Sequence, residues 1–177
     1  MRLVLGLVVL GAGLASFAIW FQWQQTRRCL DFYGSAVARR IQVAPRVELW
    51  EPRGGAGFDG ADGEGGPRPE TAQRFDVSQA RGLVHLRRGL VEDANFDWDS
   101  RHASGGAWDA ALAFYDRPGD AEPAAVLAFE FRSPGGTLTL VGEGECVGLG
   151  RLEKGLRSWL STARAEGGPV PSANRAF

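Results

Sequence analysis

Residues 108–141, WDAALAFYDRPGDAEPAAVLAFEFRSPGGTLTLV, carry three runs of period-two alternation separated by turn-forming residues. Trp108, Ala110, Leu112 and Phe114 share one side of the first run, Leu127, Phe129 and Phe131 one side of the second, and Leu138 and Leu140 one side of the third. Residues 116–123 and 133–136 between them are rich in Pro, Gly and Asp, so consecutive runs are expected to pair antiparallel. In this reading Phe129 is buried and Glu130 faces solvent.

Outward from this sheet the period changes to that of a helix. Leu152, Leu156, Trp159, Leu160 and Ala163 predict an amphipathic helix, after which Gly167, Gly168, Pro169 and Pro171 release a disordered tail over 167–177. On the N-terminal side Ser78 is placed to cap a helix. Ala80, Leu83, Leu86, Leu90, Val91 and Ala94 form its apolar side; Arg81, His85, Arg88 and Glu92 form the other. Gly82 and Gly89 weaken that helix by up to ~1 kcal/mol each. Residues 95–106 read as a loop anchored by Phe96 and Trp98, and residues 46–51 as a strand. Residues 53–70 are nearly all Gly, Pro and charge and read as a surface loop.

The first residues pose a separate problem. Residues 3–21, LVLGLVVLGAGLASFAIWF, contain no ionisable side chain. At ~1.5 Å per residue such a helix approaches the ~30 Å hydrocarbon core of a bilayer. Trp20, Phe21 and Trp23 gather at its end and Arg27 and Arg28 follow, as at a membrane boundary. The run is longer than a cleaved signal peptide needs, so a signal-anchor is expected. Leu30, Tyr33, Val37 and Ile41 continue at helical spacing, which predicts one nearly continuous helix from Leu3 to Ala44, ended by Pro45. Gly11 and Ala15 form a small-xxx-small pair, but Gly and Ala are too common here for a dimer to be expected from it.

The expected fold is therefore α+β: an N-terminal transmembrane helix, then a small two-layer domain with an antiparallel sheet of about four strands and about three helices. Residues 1–28 are the anchor and juxtamembrane segment, 29–166 the globular domain, and 167–177 the tail. The excess of arginine after the span (Arg27, Arg28, Arg39, Arg40, Arg46) favours a cytoplasmic body for this single-pass membrane protein.

Net charge is −1 and nineteen of the twenty basic residues are Arg, so no global field argues for nucleic acid. Two cysteines, Cys29 and Cys146, allow at most one disulfide and no metal framework. Asp97, Asp99 and His102 are the densest group of metal-ligating types, yet they fall in a polar loop whose turn chemistry uses the same residues. Asp59, Asp62 and Glu64 lack the register of a calcium loop. Residues 142–150, GEGECVGLG, match neither glycine-rich phosphate pattern, and two glutamates there would repel a phosphate. Cys146 would need His85 or His102 close by to act as a nucleophile, and its acidic neighbours keep a thiol protonated. The face of Arg81, His85 and Arg88 could meet anionic groups, though such faces are ordinarily only solvated.

No residue is assigned a catalytic, cofactor-binding or metal-binding role. The expected function is a binding or accessory module of a membrane assembly, touching the lipid bilayer and a protein partner, with no nucleic acid. The alternative is a membrane-tethered enzyme with a site near Asp97, Asp99, His102 and Cys146. Convergence of those four side chains in one pocket would favour the enzyme; scatter would favour binding.

Overall fold

The computed structural model describes residues 10, 11, 13–17, 20, 21, 25–52, 58, 59, 72–103, 107–131 and 135–170. Among the described residues ten strands and three α-helices follow Gln25 in chain order. The helices are α1 (Arg27–Val43), α2 (Leu83–Gly89) and α3 (Leu152–Glu166). The strands are β1 (Arg46–Pro52), β2 (Phe58–Asp59), β3 (Ala72–Asp76), β4 (Asp97–Ala103), β5 (Ala107–Trp108), β6 (Ala110–Tyr115), β7 (Ala125–Glu130), β8 (Thr137–Leu140), β9 (Glu145–Gly148) and β10 (Gly168–Pro169). Eight of them form one antiparallel sheet, ordered β10-β3-β1-β6-β7-β8-β9-β4, and β2 pairs β5 separately.

The sheet has twice the strands expected, and the membrane anchor is corrected as well. Among the described residues no helix is long and apolar enough to cross a membrane. Spanning takes ~20 predominantly apolar residues; α1 has 17 and includes Arg27, Arg28, Asp31, Arg39 and Arg40. That finding overturns the transmembrane helix and the single-pass membrane location, and the cytoplasmic assignment loses its basis. Residues 3–9, 12, 18 and 19 of the apolar run lie outside the described residues, as do 53–57 and 60–70 of the Gly/Pro-rich loop.

The continuous helix from Leu3 to Ala44 fails at two places. Gln25 and Thr26 form a turn before α1 begins. Within α1, Gly34 takes φ 74° and ψ 155°, a conformation that glycine reaches without steric cost and that breaks the helix. Phe32 and Tyr33 before the kink and Ala38 and Ile41 after it are all buried. Thr26 makes no side-chain capping bond. Asp93, in the 3-10 turn Asp93–Asn95, does that work from a distance: its carboxylate accepts the backbone N–H of Arg28 and of Cys29, each at 2.8 Å. Orphan N–H groups at a helix start are thereby satisfied, and the start of α1 is tied to the body.

One face of the sheet packs under all three helices. Val47, Leu49, Leu112, Phe114, Leu127, Phe129, Leu138 and Val147 meet Phe32, Ile41, Leu83, Leu86, Leu156 and Leu160 there. The other face is also buried, around Trp50, Trp108, Ala111, Ala113, Tyr115, Val126 and Ala128. All six residues of β6 are buried, and Glu130 is half-buried rather than solvated. Trp108 belongs to this second face, not to that of Ala110, because the strand breaks at Asp109. Asp109 donates its N–H to Phe129 O at 2.8 Å and accepts Phe131 N–H at 2.7 Å.

A charge sits inside the second face. Glu48 is 0% exposed. Its carboxylate accepts Arg74 Nε at 2.8 Å, Trp50 Nε1 at 2.9 Å, Tyr115 OH at 2.9 Å and Arg46 Nε at 3.0 Å. Burial alone pushes this carboxyl up, but the donors from Arg74, Trp50, Arg46 and Tyr115 outweigh it and hold the group down at about 2. Burial and the neighbouring Glu48 raise the Tyr115 hydroxyl to about 12, so it stays a donor at neutral pH.

Because the folded pKa lies below the ordinary carboxylate value, the stabilisation from Glu48 is present above about pH 4.5 and lost as pH falls through about 2. Its size is on the order of 3 kcal/mol at ~1.4 kcal/mol per pKa unit. Glu48→Gln should cost ~3–5 kcal/mol at pH 7, because two arginines lose their buried partner. Denaturant melts between pH 5 and 2 should show a flatter acid limb in the variant; parallel limbs would mean Glu48 is not the group responsible. Burial of both faces has its own test. Ala128→Leu should cost ~1–3 kcal/mol by overpacking, and a neutral result would mean that the second face has room.

Candidate functional site

A hollow lies on the helix side, between the end of α1 and the length of α2. Its volume is about 690 Å³, and Val43, Ala44, Pro45, Leu83, Val84 and Val91 supply its apolar walls. The local sequence explains the shape. Pro45 stops α1 by excluding the helical conformation before it, and Gly82 starts α2 from a left-handed conformation (φ 78°). The chain thus turns sharply at both ends of the groove.

Val43 and Val84 stand at its rim, 62% and 70% exposed. Outside residues 10–21 they are the exposed large apolar side chains of the described residues. The only charged residues in the lining are Arg87 and Arg88, and no carboxylate faces them from it. Arg87 is braced: its Nη1 donates to Gln42 O at 3.1 Å and its Nη2 to Ala44 O at 2.6 Å. These carbonyls belong to the last turn of α1, where a cation is favoured. Arg88 is exposed and is free to project from the rim. A second hollow of about 520 Å³ adjoins the first through the shared residues Pro45, Ser78 and Gln79, and continues to Pro118 and Pro169.

The arginine face read from the sequence does not act as one unit. Arg88 lines the groove, whereas Arg81 turns toward α3, where its N–H donates to Glu166 at 3.1 Å and its carbonyl accepts Trp159 Nε1 at 2.8 Å. Val43, Val84 and Arg87 were not singled out by sequence reasoning. Val84 falls off the apolar side of its helix, and that displacement was the available signal.

The residues of the enzyme reading lie along β4 and β9. His102 pairs with Cys146 and Asp97 with Gly148, so residues 98–101 bulge opposite the single residue Val147. The Asp97 carboxylate is used within the bulge, accepting Ser100 Oγ at 2.5 Å and Asp99 N–H at 3.2 Å. His102 Nδ1 lies 2.7 Å from Ser100 O. The Cys146 thiol donates to His102 O, the backbone carbonyl, at 3.3 Å rather than to the imidazole. Burial pushes that thiol up, and Glu130 and Glu145 add to the effect. These four residues line neither hollow. Among the described residues no group of three or more His, Cys, Asp and Glu could hold a metal ion.

The glycine-rich stretch 142–150 is a turn followed by β9, and its Glu145 pairs with Arg101. Gly150, at φ 50°, is required where it is: a Cβ there would stand 2.8 Å from Asn95 O. The stretch packs a turn against β4 and presents no cradle.

Both cysteines are free and buried, and burial raises the thiol of each. Neither should react with an aromatic disulfide reagent at pH 8 until denaturant is added, since only the thiolate attacks. Release of one equivalent of chromophore from the native protein within seconds would contradict this placement.

Comparison with known proteins finds no matching family, no matching characterised protein and no matching solved structure.

Proposed function

We propose that the chain is a protein-binding module, and that the groove between α1 and α2 takes an apolar segment of a partner that also carries a carboxylate. The observation that carries this reading is the pair Val43 and Val84, left exposed in the lining of a groove whose only charges are Arg87 and Arg88. Large apolar side chains exposed beside a concave surface mark interaction sites more often than scattered ones do. Seating one partner side chain between the two valines is worth ~1.5–3 kcal/mol from burial. A carboxylate at Arg88 adds orientation and speed of encounter more than affinity. The adjoining hollow past Ser78 and Gln79 suits a segment that runs on in extended form.

A photo-crosslinking residue at position 84, in the full chain expressed in its own cells, should capture a discrete partner. That partner is then titrated against purified protein. Val84→Asp and Arg88→Glu should each weaken binding at least about tenfold, which is ~1.4 kcal/mol. Glu143→Gln, exposed in the β8–β9 turn and lining neither hollow, should change it less than about twofold. No discrete adduct, or an adduct whose affinity neither groove variant alters, would overturn the reading.

A further inference from the structure

Leu10, Leu14, Phe17 and Phe21 are helical and are 60%, 62%, 60% and 50% exposed. Their spacing of four, three and four residues is that of the a and d positions of a heptad, which keeps one seam on one side of a helix. The Phe17 and Phe21 rings stack along it, centroids 6.2 Å apart. In the sequence the same spacing continues back to Leu7 and Leu3. Between residues 11 and 18 the only large side chains are Leu14 and Phe17; Gly11, Gly13, Ala15 and Ser16 leave room beside them.

We propose that this seam is covered by the same seam of a second copy of the chain. A three-four repeat is self-complementary: the knobs of one helix fit the holes of an identical one. No ionisable side chain occurs from Leu3 to Thr26, so no like charges oppose two copies along the seam. Area sets the strength. A fully exposed large apolar side chain offers roughly 150–250 Å², so four at about half exposure offer on the order of 400 Å² per copy, against ~800 Å² in a standard interface. The pair is therefore a concentration-dependent dimer rather than an obligate one. The inference is independent of the groove, since it uses none of its residues.

Sedimentation equilibrium of the full chain tests it. The wild type should follow a monomer–dimer equilibrium. Phe17→Asn, which puts a polar amide in the seam, should raise the dissociation constant at least about tenfold, while Ser16→Asn, beside the seam, should raise it less than about threefold. Both positions are exposed, so unchanged circular dichroism melts should accompany both variants. A monomer at every concentration, higher aggregates with no dimer step, or equal effects at the two positions would each overturn it.

Discussion

A buried carboxylate organises the middle of this structure. Glu48 lies on β1, and its donors come from β1 itself (Arg46, Trp50), from β3 (Arg74) and from β6 (Tyr115). Taking an ion out of water costs several kcal/mol, which only a full set of donors offsets. The register of β1 between β3 and β6 is thus tied to one side chain: a slip of one residue would turn Glu48 into the helix-side core and strand both arginines. Arg46 extends the tie outward. Its guanidinium lies over the Tyr115 ring at 4.0 Å and donates to the carbonyls of Pro118 and Asp120, which holds the β6–β7 turn.

With that register set, the sheet can be covered on both sides. Helix-side burial uses large residues, Leu112, Phe114, Leu127 and Phe129; the second face sets Ala111, Ala113 and Ala128 beside the large rings of Trp50, Trp108 and Tyr115. Alternation in the sequence revealed the first face, because large apolar residues recur every second position. The second face was hidden, since alanine between two phenylalanines reads equally well as a solvated position. The missed strands have a similar cause. β3 and β10 are short and border Gly- and Pro-rich sequence, and β4 is an exposed edge strand whose Asp97, Asp99, Arg101 and His102 read as a loop. Charged residues and a bulge are how an edge avoids pairing with other chains, so the same residues that suggested a site also serve to blunt an edge.

The groove was less legible still. It arises from tertiary geometry: α1 stops at Pro45, α2 starts at Gly82, and the arginine that braces them, Arg87, bonds carbonyls 43 and 45 residues away in sequence. The apolar run at the start misled in the opposite direction. Its hydropathy suggested one long helix, whereas Gly34 and the turn at Gln25 and Thr26 divide the helical residues, and Asp93 sets where α1 begins. A distant carboxylate acting as a cap leaves no local pattern to read.

A sheet buried on both faces should open less readily than the seven-residue helix α2 beside the groove, where Val84 is exposed. Native-state hydrogen exchange measures this directly, because elements open with their own free energies up to the global value. The amides of β1, β6 and β7 should share the slowest rate, set by global unfolding, and those of α2 should exchange through a smaller local opening. Exchange in β6 as fast as in the edge strand β4, or α2 amides as slow as the sheet, would contradict it.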